Sequence, residues 1–192
     1  YLCIHSSFFN VDKIYTSGLE QLSEGEVLAY TNLATGQNIF DIDKKLTIQT
    51  IKVHPMVKDV EVIRHLPRTL EIKILERETW AIIPFGNEFL CIDDEGVVID
   101  RKTIVDFSLY PFINLAQLPD RINFGQALEP EGISLIRQVW EKLNGPNQDS
   151  ISDFHYNDKK ELIIYTVSGT EIRFGTVKRL DEKVAFIIVG LI

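Results

Sequence analysis

The sequence predicts an α+β chain in two parts: strand-helix-helix-strand-strand over residues 8–77, then a mostly antiparallel β-domain with two packed helices over residues 78–192. Three observations carry that reading. Residues 57–76 alternate apolar and polar side chains in two arms around Pro67, the period of a ribbon with one buried face. Beyond Glu76-Arg77, short apolar runs follow one another between turn signals at Gly86-Asn87, Asp94-Glu95-Gly96, Asn157-Asp158 and Ser168-Gly169. Two later stretches instead repeat apolar residues at helical spacing.

The first part opens with a short strand over residues 8–15 that ends at Ser17-Gly18. Ser23-Glu24-Gly25-Glu26 has the form of a capping box, with Leu22 and Val27 placed as a hydrophobic staple, so a helix starts there. Gly36 allows a tight path before Asn38, Phe40 and the aspartates at 41 and 43, either of which can cap the next helix. Leu46, Ile51 and the residues around Val53 are expected on its buried side. It must stop before Pro55, which puts His54 in the last turn, where the helix dipole favours the charged imidazole. In the hairpin, Val60, Val62 and Leu66 share one parity with each other, as do Leu70, Ile72 and Ile74. Pro67 is expected at the second turn position, and Glu61, His65, Glu71 and Lys73 line the wet face.

In the second part, strands are expected over residues 80–85, 89–92, 97–99, 162–167 and 171–174. Pro130 suits a first helical position, and Ile133, Ile136, Trp140 and Leu143 form one stripe before Asn144-Gly145-Pro146 stops the helix. A second helix begins near Thr176 and carries Leu180, Val184, Ile187 and Leu191 at helical spacing.

A chain of 192 residues with 45% hydrophobic side chains can bury a sizeable core. Its net charge is −8, with 12 basic against 18 acidic residues over 77–192 and 8 against 10 over 1–76, which argues against a nucleic-acid surface. Cys3 and Cys91 lie far apart among apolar residues and read as buried or incidental thiols. No run approaches the roughly 20 apolar residues that span a bilayer.

Motifs for chemistry are missing. There is no phosphate-binding glycine loop and no nucleophile elbow, and no serine or threonine is placed to recruit a histidine base. Asp93-Asp94-Glu95 with Gly96 reads as a charged hairpin tip, since a calcium site needs about six oxygens. His5, His54, His65 and His155 show no ligand spacing. No catalytic residue, metal ligand or cofactor is therefore expected.

Several features in order and spacing resemble the FtsQ/DivIB family of bacterial cell-division proteins. They are residues 9–11 with Gly18, Leu22-Ser23, Gly36 through Asp43 with Asn38 and Phe40, His54-Pro55, residues 60–64, Leu66-Pro67, Thr69-Leu70, Glu76-Arg77, Ile92-Asp93 with Gly96-Val97, and residues 172–174 with Gly175. The resemblance implies a POTRA domain at 8–77 after a juxtamembrane segment at 1–7, and a β-domain from 78 that the family continues with one more strand. It further implies a single-pass membrane protein whose membrane helix precedes Tyr1. The implied role is a scaffold at the division septum, without enzymatic activity, that joins the coiled-coil membrane proteins FtsL and FtsB (or DivIC) and helps regulate septal peptidoglycan synthesis.

An exposed sheet edge can accept a strand from another chain. The hairpin of residues 158–174 is the candidate docking surface: Lys159 and Lys160 suit an acidic partner, and Tyr165 and Arg173 are types favoured at binding hot spots. Two other roles remain open for such a chain: secretion or outer-membrane assembly, and cell-wall binding.

Overall fold

The computed structural model describes residues 5–191 and divides the chain into two compact units, one through Arg77 and the other from Glu78. Residues 1–4, including Cys3, and the side chain of Leu191 lie outside the described portion.

In the first unit, β1 (Lys13–Ser17), α1 (Glu24–Ala29), α2 (Lys44–Ile51), β2 (Val57–His65) and β3 (Thr69–Glu76) follow in the predicted order. The sheet runs β1-β3-β2, with β1 parallel and β2 antiparallel to the central β3. Alternation decides the faces: Val60, Val62, Leu70, Ile72 and Ile74 are buried together with Val27 and Ile51 of the helices. Burial of these side chains is the main force holding the unit. The capping box forms as written, Ser23 Oγ accepting from Glu26 N–H while the Glu26 carboxylate accepts from Ser23 N–H. Asp43 is the residue that caps α2, accepting from Leu46 N–H at 3.0 Å.

Five local expectations are corrected. Residues 7–9 form a 3₁₀ turn capped by Ser6, so β1 starts at Lys13. Leu46 and Val53 are 53% and 72% exposed, because α2 turns Thr47 and Ile51 inward instead. Leu66 is exposed in the hairpin loop, beyond the last strand pair His65 with Thr69. The Leu66–Pro67 peptide is cis, the form that puts proline at the third turn position. His54 lies beyond the end of α2, which is closed by Lys52, rather than in its last turn, and His54 Nδ1 accepts from Met56 N–H at 3.2 Å.

One buried carboxylate secures the β1–α1 connection. Glu76, at the end of β3 and 7% exposed, accepts the backbone N–H groups of Glu20, Gln21 and Leu22 at 2.8–3.0 Å. The chain enters this connection through Gly18, whose φ is +77° and where a Cβ would lie 2.2 Å from the Ile74 carbonyl oxygen. Only glycine fits there.

The second unit contains β4 (Ala81–Phe85), β5 (Glu88–Ile92), β6 (Val98–Lys102), β7 (Ile113–Leu115), α3 (Pro130–Lys142), α4 (Gly145–Asp149), β8 (Ile151–Tyr156), β9 (Leu162–Thr166), β10 (Glu171–Gly175) and α5 (Leu180–Leu191). Its strands form two sheets, β4-β5-β6 and β10-β9-β8-β7. They meet edge to edge where Ile82 bridges Phe112 and its N–H donates to the Pro111 carbonyl. All pairings within the sheets are antiparallel except β7 with β8. Ile133, Ile136 and Val139 of α3, Leu143 just past its end, and Val184 and Ile187 of α5 are buried in one core with Phe154, Tyr156, Leu162, Ile164 and Phe174 of the sheet.

Here too the structure adds and corrects. The strands β7 and β8 give only weak local signals, three and six residues with charged or amide side chains at alternate positions. Asn144-Gly145-Pro146 ends α3 and at once starts α4, since Asn144 caps Asn147 and proline suits the first turn. Thr176 does not cap α5, which begins four residues later, after Arg179 in a left-handed conformation. Phe89, Phe107 and Phe112 meet edge to face on the side of β4-β5 away from the helices, where Ile82 and Cys91 are buried. That burial pushes the Cys91 thiol pKa up.

Two stability effects follow. Replacing Glu76 with Ala will leave three backbone donors without their acceptor and lower unfolding free energy by about 3 kcal/mol in urea denaturation, with faster amide exchange at residues 20–22. Gly132→Ala will lower it by about 1–3 kcal/mol, because the added Cβ would sit 2.6 Å from the Tyr156 ring.

Candidate partner-docking site

The hairpin singled out from the sequence is built by β9 and β10, with Tyr165 opposite Glu171 and Ile163 opposite Arg173. Alternation sends Leu162, Ile164, Ile172 and Phe174 toward the core and leaves Ile163, Tyr165, Glu171 and Arg173 on the face without helices. On that face Tyr165 Oη donates to Glu171 at 3.4 Å and Arg173 Nε donates to the same carboxylate at 2.8 Å. The Arg173 hydrogen bond holds Glu171 below the usual carboxylate range, whereas partial burial and the Glu171 charge push Tyr165 up. The His155 ring stands edge-on to Tyr165 at 4.7 Å, with its Nε2 2.5 Å from Asp153 and 3.0 Å from the Asn114 amide. The result is a continuous polar and aromatic strip across β7-β8-β9-β10.

Lys159 and Lys160 do not join that strip. They sit in the β8–β9 turn, where Asn157 Oδ1 accepts the N–H groups of Lys159 and Glu161. Lys160 Nζ reaches Glu131 at the start of α3, 3.3 Å away, and this hydrogen bond raises its pKa. Both partners are well exposed, so the pair is a surface contact that a competing acidic group could replace.

On the other side of β10 a groove of about 800 Å3 runs between the hairpin and α5. Its lining includes Val167, Ile172, Phe174, Phe186 and Ile187, with Arg173 and Lys183 among them. Lys183 Nζ lies over the Phe174 ring and donates to the Thr176 carbonyl. Because β10 ends the strand order, no strand pairs with its outer side among the described residues.

The acidic tip at 93–96 has a structural explanation. Asp93 is 1% exposed and its Oδ1 accepts the N–H groups of Glu95 and Val97, while Asp94 pairs with Arg137 of α3 at 3.1 Å. Gly96 has φ +81°, and a Cβ there would lie 2.9 Å from the Leu128 carbonyl oxygen. The other motif residues are likewise placed for folding. Asn38 Oδ1 accepts from Phe40 N–H, Phe40 meets Phe9 edge to face, Gly36 N–H donates to Val11, Pro55 follows α2, Arg77 N–H donates to Met56, and Gly175 closes β10.

One cluster was not foreseen. Glu71, on the expected wet face of the first unit, accepts from Ser17 Oγ at 2.6 Å and Tyr15 Oη at 3.0 Å, and His65 Nε2 lies 2.6 Å away. The carboxylate stands between serine and imidazole, so the histidine is not placed as a base toward Ser17. These contacts, the Ser17 bond foremost, hold Glu71 down at about 2. Among the described residues no three His, Cys, Asp or Glu side chains gather as a metal site, and no helix is long and apolar enough to cross a membrane.

The two units define a POTRA-containing protein with an attached β-domain. Residues 9–77 match the family model described as "POTRA domain, FtsQ-type". Over 189 residues the chain is 26% identical to the cell division protein DivIB of Clostridium botulinum strain Hall, an alignment covering 95% of this chain and 72% of that one. It is 25% identical over 180 residues to the cell division protein FtsQ of Anaeromyxobacter sp. strain K, covering 93% of this chain and 60% of the relative. The major extracytoplasmic domain of the trans isomer of DivIB from Geobacillus stearothermophilus aligns at 14% identity with a TM-score of 0.39, covering 58% of this chain and 87% of that one. The chain is thus similar over nearly its whole length to FtsQ and DivIB cell-division proteins, and residues 9–77 carry the FtsQ-type POTRA domain.

The Glu71 cluster gives a pH dependence with a definite sign. Its folded pKa, about 2, lies below the ordinary 4.5, so its contribution to stability is complete above about pH 4.5 and is lost as pH falls through 2. Thermal unfolding midpoints measured from pH 6 to pH 2 will fall less steeply for Glu71→Gln than for the wild type.

Proposed function

We propose that this chain is a non-enzymatic scaffold of the division machinery that captures small coiled-coil membrane proteins of the FtsL and FtsB or DivIC type. Through them it helps control septal peptidoglycan synthesis. In this reading it works on the extracytoplasmic side of the cell membrane at the septum. Similarity to FtsQ and DivIB cell-division proteins supports the setting, and an open strand edge beside an apolar groove supports the binding role.

The observation that carries the reading is the position of β10. An outermost strand presents unpaired N–H and C=O groups to which another chain can add a strand, and side chains beside it supply selectivity. Tyr165 and Arg173 flank that edge on one face, and the apolar groove along α5 lies on the other. Lys159 and Lys160 add positive charge at the turn leading into the hairpin.

The test is capture from detergent-solubilised membranes, with bound proteins identified by mass spectrometry. Reversing Lys159 and Lys160 to Glu, alone and with Arg173→Glu, will reduce capture of coiled-coil division proteins about tenfold, the scale of one interfacial charge pair. The thermal midpoint will change little, since the Lys160–Glu131 pair is exposed. Undiminished capture removes this hairpin as the docking surface. Recovery of outer-membrane or secretion components, or cosedimentation with purified peptidoglycan instead, would replace the scaffold reading with one of those roles.

A further inference from the structure

The strand edges of this molecule are closed in different ways. Beside β6, residues 125–128 cover the edge with backbone: Gly125 N–H donates to Val98, Val98 N–H to Gln126, and Leu128 N–H to Gly96. At β1 the cover is a single side chain. Thr16 N–H, which points away from β3, donates to Glu24 Oε2 at 3.1 Å, and Thr16 Oγ1 donates to the same oxygen at 3.1 Å. Glu24 stands in the first turn of α1 but takes no part in the cap, which Ser23 and Glu26 complete between themselves. Its carboxylate oxygen occupies the position that a carbonyl of an incoming strand would take.

We propose that Glu24 is a guard that prevents the β1 edge from pairing antiparallel with β1 of a second copy of this chain. The backbone N–H and C=O of Ile14 point to the free edge as those of Thr16 do, while the Ile14 side chain packs against the core. In a two-fold pairing centred on Tyr15, Ile14 of one copy faces Thr16 of the other, the two residues whose backbone groups point outward. Lys13 then faces Ser17, so no like charges oppose one another. The edge is self-complementary once the carboxylate is removed.

Sedimentation velocity across a concentration series tests this on the whole chain, with circular dichroism and thermal melting to monitor the fold. Glu24→Ala will self-associate about tenfold more tightly than the wild type, the scale of one to two hydrogen bonds restored across the pair. Glu24→Gln will behave as the wild type, because its amide oxygen still accepts from Thr16. Adding Thr16→Pro to Glu24→Ala will abolish the gain, since proline is tolerated on an edge but offers no N–H. An alanine variant no more associated than the wild type overturns the proposal. So does a glutamine variant that associates as strongly as alanine, which would make charge repulsion the cause. Should the alanine variant fail to fold, hydrogen exchange of the wild type decides: the Thr16 amide will exchange more slowly than that of Ile14, and equal rates reject the guard.

Discussion

A carboxylate buried at the end of a strand is costly unless its oxygens are fully used, and Glu76 meets that condition with three backbone donors from residues 20–22. The connection from β1 to α1 has to cross the end of β3, because β1 runs parallel beside that strand. Its amides would otherwise be withdrawn from water without partners. Gly18 lets the chain start this crossing against the Ile74 carbonyl, and Glu76 fixes the end of it. The position of α1 follows, and with it the burial of Val27 and the reach of Glu24 to Thr16. One residue therefore couples the last strand of the unit to its first turn of helix.

In the second unit, selective covering of the sheet shapes what can bind. Helices α3 and α5 bury one face, and the aromatic segment of Phe107 and Phe112 buries the other face over β4-β5. Among the described residues, the outer face of β7-β8-β9-β10 and the edge of β10 remain uncovered. The polar groups there satisfy one another: Arg173 and Tyr165 share Glu171, and Asp153 holds His155. Such a strip presents a defined hydrogen-bonding pattern along the sheet face.

Much of the fold was legible because its signals are local. The capping box at Ser23, the cap at Asp43, the alternation of β2 and β3 and the stripe of α3 each depend on residues within a turn or two. Errors arose where a competing partner lay far away in sequence. Leu46 and Val53 are as apolar as Ile51, but the sheet surface available to α2 is filled by Thr47 and Ile51. The strand β8 was missed because its Asp153 and His155 face outward and pair with Asn114, 39 and 41 residues away. Lys159 and Lys160 resemble a free basic pair in sequence, yet Lys160 already has Glu131 across the unit.

By itself the sequence determined the α+β class, the order of elements in the first unit, the change of pattern after Arg77 and the likeness to FtsQ and DivIB proteins, since periodicity, caps and turn residues act through neighbouring positions. Only the tertiary structure decided which strand edge stays open, that Glu71 gathers Tyr15, Ser17 and His65, and that Glu76 binds a loop 54–56 residues earlier. Those contacts depend on the order in which strands pair. Strand order is set by burying all the apolar faces at once, a condition that no local pattern contains.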